Sequence, residues 1–170
     1  MIDLNVRAAE SEADVVAVRG LFSEYAAALG VDLGFQDFAH ERASLPGDYA
    51  SPGGVLLLAE SGTDVIGCIG LRPLEPPAIA ELKRLYVRPS HRRTGAGRAL
   101  TEAALAVARS LGYQRVRLDT LPTMLEARRL YAGLGFQEIP AYRHNPVPGT
   151  TYLELALHPS GSSADQPLQS

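Results

Sequence analysis

The chain has no tryptophan, a single cysteine and only two methionines among 170 residues. One cysteine, Cys68, rules out an internal disulfide and points to a reducing compartment. An excess of basic charge is also missing. Sixteen Lys and Arg stand against nineteen Asp and Glu, a net charge of −3. Nothing in that balance draws the whole surface to nucleic acid or to an anionic membrane. No apolar run is long enough to span a bilayer, and Asp3 and Arg7 interrupt the start where a secretory leader needs an apolar core. The expectation is a cytoplasmic protein with neither a nucleic-acid nor a membrane partner. What is present is ordinary for a globular protein: 46% hydrophobic and 21% charged residues, enough for one domain with one substantial core. There is no internal repeat.

One stretch organises the rest. Glu81-Leu-Lys-Arg-Leu-Tyr-Val87 reads as a strand, with Leu85 and Val87 on one face and Leu82 and Tyr86 on the other. Pro89 cannot continue a ladder, so the strand ends near Arg88. From Leu100 the apolar residues Leu100, Ala103, Ala104, Val107 and Leu111 fall at helical spacing. Between strand and helix lies a turn with Gly95, Gly97, His91, Arg92 and Arg93. Glycines allow close backbone approach, the first N–H groups of a helix lack partners, and the helix dipole favours an anion. The turn is therefore a candidate phosphate cradle. A dinucleotide fingerprint needs a third glycine where Leu100 stands, and a P-loop needs Gly-Lys-Ser/Thr; neither is present.

Arg92-x-x-Gly95-x-Gly97 after a Leu-x-Val strand end, followed by Ala127-x-x-Leu130-Tyr131-x-x-x-Gly135-Phe136, resembles the acetyl-CoA-binding core of the GNAT superfamily of N-acetyltransferases. The resemblance spans roughly Val55 to Leu157. It implies an α/β (α+β) fold: a mixed, mostly antiparallel twisted sheet, splayed after the central strand, with helices on both faces. It implies acetyl-CoA as co-substrate, without metal, and direct attack by an amine of a small molecule or peptide. The cofactor contacts it implies are Leu85, Tyr86, Val87, Arg92, Arg93, Thr94, Gly95, Ala96, Gly97 and Arg98. Tyr131 stands where the family has the acid that protonates the departing thiolate, and a phenol stays protonated at neutral pH. Its other reading is an amphipathic core tyrosine. An amine of pKa ~10.4 is neutral in roughly one molecule in a few thousand at pH 7, so a proton acceptor is needed. Glu81 is the candidate, with a salt bridge to Lys83 or Arg84 as its plain alternative; those two cations equally suit an acidic substrate. Met124 replaces the asparagine common in the family three residues before the alanine. Acceptor contacts are expected from Tyr25, Phe35, Gln36, Tyr142, His144 and Asn145. A CoA-binding sensor without turnover, another acyl-CoA as donor, and a homodimer stay open.

In chain order, a short strand is expected over Ile2 to Arg7. A helix follows from a Ser11/Asp14 capping box to Gly30, and a second helical piece begins at Gly34. A hairpin turns at Ser61–Asp64, with Pro73, Pro76 and Pro77 breaking the chain before the central strand. Gly112 closes the central helix, and Val116 and Leu118 alternate in another strand. Pro122 opens the helix that carries Tyr131, and Thr151 to Leu157 forms a last strand. The domain is expected over 1–158, with a disordered tail over 159–170.

Overall fold

The computed structural model describes residues 3–34 and 37–157. Phe35, Gln36 and the tail expectation over 159–170 lie outside the described residues. The chain runs β1 (Leu4–Ala8), α1 (Glu12–Leu29), α2 (Phe38–Ala43), β2 (Val55–Ser61), β3 (Asp64–Glu75), β4 (Ile79–Val87), α3 (Ala96–Ser110), β5 (Arg115–Thr120), α4 (Leu125–Leu134), β6 (Gln137–Ile139) and β7 (Thr151–Ala156). The strands form one sheet in the order β1-β2-β3-β4-β5-β7-β6, and every pairing is antiparallel except β4–β5. Helix α3 packs across β1 to β4 on one face, while α1 covers β3 and β4 on the other. The mixed sheet with helices on both faces is the architecture expected from the sequence.

Local chemistry sets the first helix. Ser11 Oγ accepts from the Asp14 N–H at 3.1 Å, and the Asp14 carboxylate accepts from the Ser11 N–H at 3.2 Å. Arg7 of β1 grips the same carboxylate through both terminal nitrogens at 2.8 Å, tying strand to helix. Two core clusters form on opposite faces. Leu57 and Ala59 of β2 join the cluster under α3, and Leu56 and Leu58 join the one under α1, as a period of two requires.

The central strand departs from that period. Leu82 lies in the α3 cluster together with Leu85 and Val87, and Tyr86 lies in the α1 cluster. The expected pairing of Leu82 with Tyr86 on one face is corrected by a bulge. Gly70 pairs with Lys83 but Cys68 pairs with Tyr86, so β4 carries one extra residue against β3. Arg84 takes up that residue at φ +63°, a conformation costing a non-glycine residue about 1–3 kcal/mol.

Two proline readings change as well. Pro73 lies inside β3, paired with Ala80. β2 pairs β3 only as far as Leu71, so beyond it β3 has an open edge where a missing N–H breaks no bond. Pro122 precedes α4 rather than opening it; the Met124 N–H closes a turn onto Leu121 O, and the helix starts at Leu125. For function the decisive feature is a split. β4 and β5 pair only through Ile79–Glu81 and Arg115–Arg117. Past that point β5 stays with β7 as far as Thr120 while β4 continues to Val87. The two strand ends diverge and leave a cleft.

Candidate active site

A groove of about 680 Å³ fills the outer part of the cleft. Its walls are Leu85, Tyr86 and Val87 of β4, the turn through Arg92, Arg93, Gly95, Ala96, Gly97 and Arg98, and the first turn of α4. Every expected cofactor contact lines it except Thr94, whose Oγ1 turns back to donate to His91 O at 2.6 Å. Gly95 caps α3 at φ +89°, a region closed to most side chains. The Ala99 N–H bonds back to Gly95 O at 3.0 Å. The N–H groups of Ala96, Gly97 and Arg98 therefore have no acceptor within the helix. A Cβ on Gly97 would meet Leu130 and Val87 only at 3.9 and 4.0 Å, so the groove wall is open there. Arg93 is 89% exposed beside Glu126, and Arg92 Nε donates to Val87 O at 3.2 Å. Length, anion-seeking N–H groups and flanking guanidinium groups fit the diphosphate and extended arm of CoA.

The groove leads to an inner pocket of about 30 Å³. Leu85, Tyr25, Leu29 and Met124 line both spaces. Tyr131 lines the inner pocket, with its ring against Phe136 at 5.5 Å. Burial pushes its phenol well above the usual tyrosine value, so it holds its proton. Met124 occupies the cap position of α4, where it makes no side-chain cap; its sulfur instead accepts from Thr120 Oγ1 at 3.9 Å. The inner wall is polar. Lys83, Arg84, Asp119 and Asn145 all face it. Lys83 Nζ lies 3.9 Å from Asp119 Oδ1, and burial lowers the Lys83 ammonium to about 8. Asn145 Nδ2 donates to Asp119 at 3.5 Å.

Glu81 stands apart from this wall. It is fully buried, lines neither space, and is held by three groups. Arg72 Nε donates to its Oε1 at 3.0 Å, Tyr142 Oη donates to its Oε2 at 2.7 Å, and Arg143 pairs with Oε2. Burial pushes its carboxyl up, but the charges of Lys83, Arg143 and Arg72 outweigh this and hold it below the usual range. Its ion-pair partners are Arg72 and Arg143; Arg84 pairs instead with Glu41 of α2, at 3.0 and 3.2 Å. Of the expected acceptor contacts, Tyr25 and Asn145 reach the inner pocket, Tyr142 is committed to Glu81, and His144 is exposed and lines neither space. Sequence reasoning missed Asp119, Arg72 and Arg143. Asp119 had a faint signal, a carboxylate at the end of an alternating strand.

A strand-to-helix turn with free N–H groups, opening through a split sheet onto a buried phenol, fits a transferase built around a phosphorylated carrier. The sequence matches the acetyltransferase (GNAT) family over residues 19–136. An uncharacterized N-acetyltransferase of Schizosaccharomyces pombe is 36% identical over 157 residues, covering 91% of this chain and 96% of that one. N-acetyltransferase 8 of Homo sapiens is 38% identical over 90 residues, covering 51% of this chain and 40% of its own. Among solved structures, an acetyltransferase of the GNAT family from Staphylococcus aureus superposes with a TM-score of 0.74 at 18% identity, covering 91% of this chain and 99% of that one. A Salmonella typhimurium protein solved with its cofactor acetyl-CoA superposes at 0.63 and 21% identity, covering 96% and 98%. The chain belongs to the GNAT family of acetyltransferases. It is an acetyl-CoA-dependent N-acetyltransferase. Among the described residues no helix is long and apolar enough to cross a membrane, and no cluster of His, Cys, Asp and Glu has the makings of a metal site.

Proposed function

We propose that the chain transfers acetyl to the amine of a small molecule or peptide by direct attack within the inner pocket. The observation that carries this reading is the shared wall: Leu85 closes the groove and opens the pocket that holds Tyr131 and Asp119. Bound acetyl-CoA supplies an activated thioester carbonyl. The α3 turn holds the diphosphate through its N–H groups, with Arg92, Arg93 and Arg98 around it. The edge of β4 past Glu81 has no ladder partner on the β5 side, so its amides are available to the extended arm and to the carbonyl oxygen. One such donor lowers the barrier by roughly 3 kcal/mol. Tyr131 keeps its proton at Oη for the leaving sulfur. Asp119 is the carboxylate on the pocket wall and meets the acceptor ammonium, whose proton leaves through water. Glu81 is a positioning residue: ionised, enclosed and tied to the 142–143 loop. Buried Cys68 agrees with a cytoplasmic setting.

The experiment is an amine panel with acetyl-CoA, followed by thiol release and by mass of the acetylated product. Acetylation of at least one acceptor class is expected. Tight acetyl-CoA binding with no product from any amine would instead favour a sensor.

A further inference from the structure

The two spaces of the cleft differ greatly in size: about 680 Å³ for the groove and about 30 Å³ for the inner pocket. A water-sized group needs roughly 10–15 Å³, so the inner pocket holds about two of them. Tyr25, Leu29, Leu85 and Met124 line both spaces and so form the neck between them. Tyr25 and Leu85 pack against the two core clusters, and the Tyr25 ring lies 5.6 Å from the Arg84 guanidinium. Leu29 closes the last turn of α1. Met124 stands outside both clusters. Its backbone is fixed at the cap position of α4, while its side chain reaches inward, with Sδ 3.9 Å from Thr120 Oγ1. Thr120 is buried and adjoins Asp119 on the pocket wall. The thioether therefore stands at the neck, beside the carboxylate that meets the amine. An unbranched methionine fills such an irregular gap well.

On the reading above, in which an amine attacks within the inner pocket, we infer that Met124 sets the length of the acyl group that the enzyme transfers. In that reaction the amine nitrogen bonds to the carbonyl carbon and the carbon–sulfur bond breaks. The sulfur leaves with the Tyr131 proton, and the nitrogen sheds its protons to water, from which the phenol is replenished. The acyl methyl and the attacking nitrogen must share the pocket at that moment, and two groups of that size fill it. A further methylene on the acyl chain takes the space of the nitrogen, because Met124 closes the neck behind it. A longer acyl-CoA is thus held by the groove but poorly transferred. Met124→Ala deletes Cγ, Sδ and Cε and joins the pocket to the groove.

The test measures kcat/KM for acetyl-, propionyl- and butyryl-CoA with one fixed acceptor panel: the standard amino acids, spermidine and a short peptide with a free amino terminus. Product mass identifies the acyl group transferred. Donor ratios are taken within each protein, so a common loss of CoA affinity cancels. In wild type each added methylene should lower kcat/KM at least about tenfold. In Met124→Ala, propionyl- and butyryl-CoA should come within about threefold of acetyl-CoA. Met124→Leu conserves volume and should keep the wild-type ranking, which separates bulk from the sulfur contact with Thr120. Should Met124→Ala not fold, Met124→Val, also shorter, takes its place. Equal use of the three donors by wild type overturns this inference and leaves the acetyltransferase reading standing. So does an unchanged ranking in the shortened variant, or a lost ranking in Met124→Leu. No acylated product from any donor overturns both.

Discussion

Arg84 sits on the central strand at φ +63°, and Glu41 of α2 clasps its guanidinium at two points, 3.0 and 3.2 Å. The bulge in the central strand is thus braced by an ion pair from another element. Tyr25 and Phe38 rings flank the same guanidinium at 5.6 and 5.0 Å. Removing the carboxylate charge would leave Arg84 nearly enclosed without its counter-ion. Glu41→Gln should therefore lower stability by about 3–5 kcal/mol. Chemical denaturation checks this, and a loss below about 1 kcal/mol would show the bulge stands without the clasp.

Gly97 is the position where side-chain volume tests the cradle cleanly. Its φ is helical and a Cβ meets nothing closer than 3.9 Å, so Gly97→Val should fold. The added methyl groups stand in the groove between Val87 and Leu130 and keep an anion from the N–H groups. Acetyl-CoA affinity should fall at least about a hundredfold by calorimetry. Gly95→Val is the poorer test, because φ +89° strains any side chain whatever the ligand. An unchanged Kd in folded Gly97→Val would remove the diphosphate from this turn.

Tyr131→Phe keeps the ring against Phe136 and deletes only the proton donor. The expected outcome is a kcat lower by roughly a hundredfold with the KM for acetyl-CoA nearly unchanged. A kcat within twofold of wild type would make the tyrosine a packing residue.

Glu81→Gln separates support from proton transfer. With the charge gone, Arg72 and Arg143 face a neutral amide, and stability at pH 7 should drop by about 3 kcal/mol. The sign with pH follows from the carboxyl being held below its usual value. Its contribution is full above the ordinary carboxylate range and is lost as pH falls through the folded value, so the two proteins should converge in acid. The folded variant should retain the wild-type shape of its pH–rate profile. A variant that slows near neutrality and recovers as pH rises would return Glu81 to the role of base.

The groove end of the cleft was legible because its information is local. A strand stop at Pro89, two glycines and an amphipathic helix lie within one contiguous stretch. Backbone N–H groups at a helix start bind anions wherever the helix packs. The second block around Tyr131 is local in the same sense, and both reached the cleft as expected. The inner-pocket end is different in kind. Glu41, Arg72, Lys83, Arg84, Asp119 and Arg143 come from five separated segments, and nothing in their spacing links them. Only the sheet order, with the 142–143 loop folded back over β4, makes Glu81 a clamp and leaves Asp119 on the pocket wall. The bulge at Arg84 belongs to the same class. A period of two is a property of an unbroken ladder, and the extra residue is forced by pairing with β3, which the sequence of β4 does not contain. Charge pairing and strand register are long-range terms, so the tertiary structure alone decided which carboxylate faces the inner pocket.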